Sequence, residues 1–487
     1  MVVRSVRYLA ALLALLLVAA GVLVPGHRRS AEGSSRYRRI TTKITAGMTL
    51  ERIVDRYGPN RIKVLRIDPA SSLTIDVALA NDAIPGHERP SSMAARHDAI
   101  AAINGDFTIV PGMGGAGRPI NVFAEDGALV TSSLIWGRNF AISRNEQNAF
   151  IGHPEFQAFV RQTDAEETLA VERWNEAPGS SGIAAFSPTA GPAFRPPTNA
   201  CSARLRFVGT HTWSDYEMGV ERQYVVRKVR CGVERMARKG GLVLAAPSGT
   251  EQAADLTAAL HEGEAVSVGW STSWPGVLDT IGGNPSVLED GRLSIGSCSS
   301  GYFCGRNPRT GIGVTPDGTI LLVTVDGRRP GWSAGMTLEE LASLFRYLGA
   351  NWALNLDGGG STAMIVQGKL INRPSDGAER PVGSALLVLP GPDADEVVPS
   401  DATSPAPLPT ALPTPLPIPT MAPAANGAVT PAPTVTAPHC LSLADPASTG
   451  GLLDALRRRQ LGAPAAPLSP ALQRALAVFR GQRDCSP

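Results

Sequence analysis

The sequence predicts an α/β (α+β) fold: a mixed β-sheet with flanking helices in one main domain, followed by a small disulfide-stapled helical tail. Three observations predict it. Residues 319–325 and 352–356 are apolar runs of strand length, and a helical pattern at 337–348 lies between them, so the three make a βαβ unit. Residues 99–103 form another continuous apolar run, as in a strand buried on both faces. Cys440 and Cys485 bracket two short helical patterns at the end of the chain.

The elements follow in order. Residues 1–26 hold Arg4, Arg7 and an apolar run, which reads as an export signal or an N-terminal membrane anchor, and 27–39 is a basic spacer. Export makes disulfides permissible, and the six cysteines are expected to pair as Cys201–Cys231, Cys298–Cys304 and Cys440–Cys485. The main domain spans 40–390. Residues 62–68 and 73–80 alternate apolar and polar around a Pro-Ala-Ser-Ser turn and read as a hairpin. A short helix is expected at 91–96, capped by Ser91 or Ser92. The strand at 99–103 then ends on Asn104, Gly105 and Asp106.

Residues 146–239 are partly insert-like, with Cys201 and Cys231 stapling a hairpin. Trp174, Trp213 and Tyr216 are read there as core in preference to a sugar platform. A helix at 255–261 and a strand at 265–270 follow. Pro316-Asp317-Gly318 signals a tight turn whose hairpin sets Arg309 roughly opposite Asp326. In the helix at 337–348, Thr337 and Glu340 make a capping box, the apolar stripe is core, and Gly349 is the terminator. Residues 391–438 are a Pro/Ala/Thr-rich linker, and 439–487 are the small helical tail.

If 319–325 and 352–356 share one parallel sheet, Asp326 and Asp357 lie at strand carboxyl ends on the same edge, where α/β sheets hold ligands. Asn104 and Asp106 also follow a strand end. Gly358, Gly359 and Gly360 with Ser361 and Thr362 can bend into an anion-holding concavity beside Asp357. The plainer alternative is a tight turn with an Asp at its corner. With 45 Lys and Arg against 43 Asp and Glu, the chain has no charge bias toward nucleic acid.

Five motifs stand in a recognisable order: A-I-N-G-D-F at 102–107, I-G-G-N-P at 281–285, R-T-G-I-G at 309–313, V-D-G-R at 325–328 and N-L-D-G-G-G-S-T-A-M at 355–364. Across 40–389 the chain resembles the phosphodiester glycosidase domain family, whose usual N-G-G-F-F reads N-G-D-F-T here. The resemblance implies a hydrolase that cleaves a sugar-1-phosphodiester at C1–O, and the N-terminal segment is expected to place it outside the cytoplasm, secreted or membrane-anchored. It implies Asp357 as nucleophile or base, Asp326 as the second carboxylate and Arg309 as a bidentate phosphate ligand. Gly358, Gly359, Gly360, Ser361 and Thr362 would hold the remaining phosphate oxygens, and Asn104, Asp106 and Asn284 would bind substrate. No cofactor is expected. One alternative is metal-assisted phosphodiester hydrolysis, with a divalent cation held by Asp106, Asp326 and Asp357. The other is a non-catalytic surface module that binds phosphate-linked cell-wall glycans.

Overall fold

The computed structural model describes residues 36–109, 117–132, 137–143, 148–162, 168–190, 196–213, 220–232, 241–295 and 303–391. The segments expected to be an export signal or anchor, a proline-rich linker and a helical tail lie outside the described residues, with most of the expected spacer and with Cys298, Cys440 and Cys485.

The fold-class expectation is corrected. The described residues form twenty-six strands in four sheets with only three α-helices, so the protein is mostly β and not a mixed sheet flanked by helices. The reason lies in the connections. Most strands are short and meet near neighbours through tight turns, which gives antiparallel pairing. Among the described strand pairs, only Arg173–Trp174 with Ala184–Phe186 runs parallel.

The first sheet has eight strands. Its central part runs Asn60–Ile67, Ile320–Val325, Arg309–Val314, Trp352–Asn355 and Ser286–Glu289. The strand–helix–strand unit exists in chain order, but its strands are not neighbours. Arg309–Val314 lies between them and is antiparallel to both, with Arg309 opposite Val325 and Gly311 opposite Asn355. Ile320–Val325 and Trp352–Asn355 therefore run in the same direction and finish on the same edge, as expected.

The helix Leu338–Leu348 covers one face of this sheet. Thr337 and Glu340 form the full capping box, and Gly349 ends the helix at φ 95°, in the left-handed region that glycine tolerates. Leu338, Leu341, Leu344, Phe345 and Leu348 are buried against Ile62, Val64, Leu321, Val323 and Ala353. Each such side chain contributes roughly 1.5–3 kcal/mol through removal from water.

The expected hairpin at 62–68 and 73–80 is not formed. Asn60–Ile67 stays in the first sheet, whereas Thr74–Leu79 pairs with Ser384–Leu389 in a second sheet of five strands. All six residues of Thr74–Leu79 are buried, so the strand needs cover on both faces and the Pro-Ala-Ser-Ser turn becomes a corner between sheets. Ala101–Asn104 sits in the middle of the second sheet, between Met364–Val366 and Ser384–Leu389, and is buried throughout. The two sheets share a core that includes Leu65, Ile312 and Leu354 from the first and Ile75, Ile103 and Leu386 from the second.

Cys201 and Cys231 are bonded across Ala200–Trp213 and Val220–Gly232, in register. Cys304 is also disulfide-bonded. Trp174 is buried in the core with Leu205 and Leu244, while the Trp213 side chain and Tyr216 lie outside the described residues. The short helix is Pro90–Arg96. Arg89 stands at its cap position, and Ser91 bonds Glu379 instead of capping the helix.

Candidate active site

The site lies where the first sheet hands the chain to the second. Trp352–Asn355 belongs to the first and Met364–Val366 to the second, so residues 356–363 cross between them. Asp357 stands in this crossing, partly exposed. Asn104, fully buried at the end of its strand, fixes the crossing in place. Its Nδ2 donates to the Asp357 carbonyl at 2.6 Å, and its Oδ1 accepts from the Thr310 hydroxyl at 2.7 Å and the Ala363 N–H at 3.1 Å. These bonds position the backbone; contact with sugar hydroxyls was the expected role.

After Asp357 the chain makes one tight turn, Gly359–Ser361. The Gly358 N–H donates to the Asp357 carboxylate at 2.9 Å, and the Gly359 N–H to the Pro308 carbonyl at 2.9 Å. Two N–H groups of the anticipated anion concavity are therefore engaged by the protein itself. The glycines serve close approach instead. A Cβ on Gly359, where φ is 63°, would lie 2.7 Å from the Arg328 guanidinium. A Cβ on Gly360 would collide with the Arg380 guanidinium and the Asp376 carboxylate. Thr362, buried at the end of the turn, has an Oγ1 with no hydrogen-bond partner among the described residues.

The Asp357 carboxyl has its pKa raised by burial, opposed by hydrogen bonds from the Ser361 hydroxyl and the Gly358 N–H and by the charges of Arg380 and Arg328. Arg380 donates from Nη1 to Ser361 Oγ at 3.3 Å, so a chain runs from Arg380 through Ser361 to Asp357. Arg380 also pairs with Asp376. Arg328 is exposed and donates from Nε and Nη2 to Asn307 Oδ1, at 3.1 and 2.9 Å.

The other expected residues are placed as follows. Asp326 ends its strand on the same edge. It accepts from Lys63 Nζ at 3.2 Å, from the Arg373 N–H at 2.9 Å and from the Trp332 indole at 3.4 Å. Arg309 is buried; its Nε donates to the Met336 carbonyl, and its Nη2 to the carbonyls of Phe303 and Gly305. Those bonds tie down the segment leading into Pro308. Asp106 is buried and accepts from Asn121 N–H, Asn121 Nδ2 and Phe107 N–H. Burial pushes its pKa up to about 7, with the nearby Asp357 charge adding to the shift. Asn284 is half-buried before a cis Pro285, and its backbone exchanges bonds with Asn355.

Asp106, Asp326 and Asp357 do not gather around one point. Among the described residues, groups of three with ligand atoms within 4.8 Å of one another are Asp76, Asp126 and Asp279, and Asp82, His97 and Glu125. Both are separate from the Asp357 turn.

The arginines beside the turn were missed in the sequence. Arg328 lies in the quoted V-D-G-R motif, yet its guanidinium reaches Gly359 only because of the sheet geometry. Arg380 and Asp376 sit in a stretch without periodicity. The one signal there is their i, i+4 spacing around Gly377.

The sequence model of the phosphodiester glycosidase family matches residues 214–389. That span contains Asp326, Arg328, Asp357, the glycine turn, Asp376 and Arg380, but not Asn104 or Asp106. A prophage-derived uncharacterised protein of Bacillus subtilis (strain 168), YomE, is 45% identical over 91 residues, which is 18% of this chain and 14% of that protein. A hypothetical protein from Synechocystis has a similar fold: TM-score 0.55, 21% identity, with 72% of this chain and 63% of that one covered. A Burkholderia pseudomallei K96243 protein, provisionally assigned as exported, superposes at TM-score 0.51 and 25% identity, covering 68% of this chain and 74% of that one. Residues 214–389 of this chain thus carry a domain of the phosphodiester glycosidase family.

Proposed function

We propose that the protein hydrolyses a sugar-1-phosphodiester at the C1–O bond and acts outside the cytoplasm on a phosphate-linked glycan. The observation that carries this reading is the Asp357 turn: a carboxylate linked through Ser361 to Arg380, with Arg328 laid over Gly359. A carboxylate beside two arginines suits a reaction whose leaving group is a phosphate. The phosphate needs charge neutralisation more than protonation, because a phosphomonoester leaves readily.

Water attacks C1 and gives its proton to the Asp357 carboxylate. The C1–O bond breaks, and its electron pair departs with the phosphomonoester. The sugar is left with a new C1 hydroxyl. A raised pKa strengthens Asp357 as the base. Nucleophilic attack by the same carboxylate fits the geometry equally, and the stereochemistry of the product separates the two. Arg328 and Arg380 take the phosphate-binding role expected of Arg309, whose Nε and Nη2 are committed to carbonyls. Asn104 supports the turn, Asp106 holds Asn121, and Asn284, half-exposed, remains the candidate for the sugar. Asp326 is buried and paired with Lys63. A divalent cation would find its carboxylates at the two separate groups and not at Asp357.

The test is sugar release by the full chain from a panel of sugar-1-phosphodiesters, with and without chelator. Release is expected to survive chelator and to vanish in Asp357→Asn. Full activity in Asp357→Asn removes the assignment, and release lost only with chelator selects the metal-assisted route.

A further inference from the structure

The segment that follows Met364–Val366 returns over the glycine turn before entering Ser384–Leu389. It is pinned at both ends. Asn372 accepts from the Met364 N–H at 2.8 Å and donates to the Thr362 carbonyl at 2.9 Å. Val382 exchanges backbone bonds with Glu88, and Glu379 accepts from Ser91. Between the pins is a tight turn, with the Gly377 N–H bonded to the Pro374 carbonyl and φ of 87° at Gly377. Asp376 stands at its tip.

The Asp376 carboxylate lies where Gly360 has no side chain, and its Oδ2 alone accepts from both Nε and Nη2 of Arg380. Nε and Nη2 are the same edge of the guanidinium that an arginine offers to two oxygens of a phosphate. The carboxylate sits beside the turn that carries Asp357, on the arginine linked to Asp357 through Ser361. The pair is open to water, with side-chain exposures of 46% for Arg380 and 39% for Asp376. An exposed pair of this kind is weak, so another anion can replace it.

We propose that Asp376 is a built-in competitor for the anionic group of the substrate: it fills the Arg380 grip in the free protein and yields it when a phosphate arrives. The proposal rests on the phosphate-binding role given to Arg380 above. Its consequence is selectivity. A neutral glycoside offers oxygens without charge, so it competes poorly with the carboxylate already on the arginine. A phosphodiester replaces the carboxylate like for like. Discrimination then comes from a repulsive element as well as from an attractive one.

The test titrates inorganic phosphate calorimetrically into the full chain, its Asp376→Asn variant, Arg380→Ala and the double variant. Asp376→Asn keeps the shape of an exposed side chain and is expected to bind phosphate roughly twofold to fivefold tighter, the range set by the worth of an exposed ion pair. Arg380→Ala is expected to weaken binding and to abolish the gain in the double variant. KM for any phosphodiester that is turned over should fall in Asp376→Asn by a similar factor. Unchanged or weaker phosphate binding in Asp376→Asn overturns the proposal, because Asp376 is then idle or serves to hold Arg380 in place. So does a lack of phosphate binding in all four proteins. A gain in phosphate affinity without sugar release from any substrate leaves the competitor standing and defeats the glycosidase reading instead.

Discussion

Asp106 shows what burial does to a single carboxyl group in this fold. It is enclosed, hydrogen-bonded by Asn121 and Phe107, and its pKa lies at about 7. In the unfolded chain an aspartate titrates near 4. The folded state therefore holds this proton more tightly. The stabilisation is complete below about pH 4 and is lost as pH rises through about 7. Within that window the protein should lose stability by up to about 1.4 kcal/mol per pH unit from this group. Asp106→Asn should flatten the decline in denaturant titrations run from pH 4 to 7; parallel declines in both proteins would remove Asp106 as its source. Asp106 and Asp357 could be named from the sequence because each follows a strand end. Their partners could not, since Asn121, Arg328 and Arg380 reach them through folds of the chain that local spacing does not encode.

At the scale of the element, the clearest readings came from residues whose chemistry is local. The capping box at Thr337 and Glu340, the left-handed Gly349 and the turn at Pro316-Asp317-Gly318 all stand as expected. Thr337→Ala should cost about 1 kcal/mol, because the Glu340 N–H loses its acceptor. A denaturation midpoint unmoved by that change would show the cap to be idle. Pairing between elements was less legible. A run of alternating residues says that a strand exists and not which strand lies beside it, so Thr74–Leu79 was given to its chain neighbour when its partner is Ser384–Leu389, far along the sequence.

For the whole molecule, one strand–helix–strand unit points to an α/β fold, and four largely antiparallel sheets overrule it. Asp326 and Asp357 share an edge even so. A crossover with one antiparallel strand inserted still returns the chain in its original direction. What the sequence could not show is that the site is built from two sheets at once.

That seam bears on how the chain can be cut. Ser384–Leu389 pairs on one side with Thr74–Leu79 and on the other with Ala101–Asn104, both upstream of residue 214. A fragment limited to 214–389 would present both flanks of a fully buried strand to solvent, with nothing to cap them, and would lose the amide that clasps Asp357. Expressed alone it should collect in inclusion bodies, whereas one reaching back to residue 36 should stay in the supernatant. Soluble, monomeric 214–389 would mean that the upstream strands are dispensable. The smallest unit expected to stay folded is therefore about twice the length of the stretch that the family model matches.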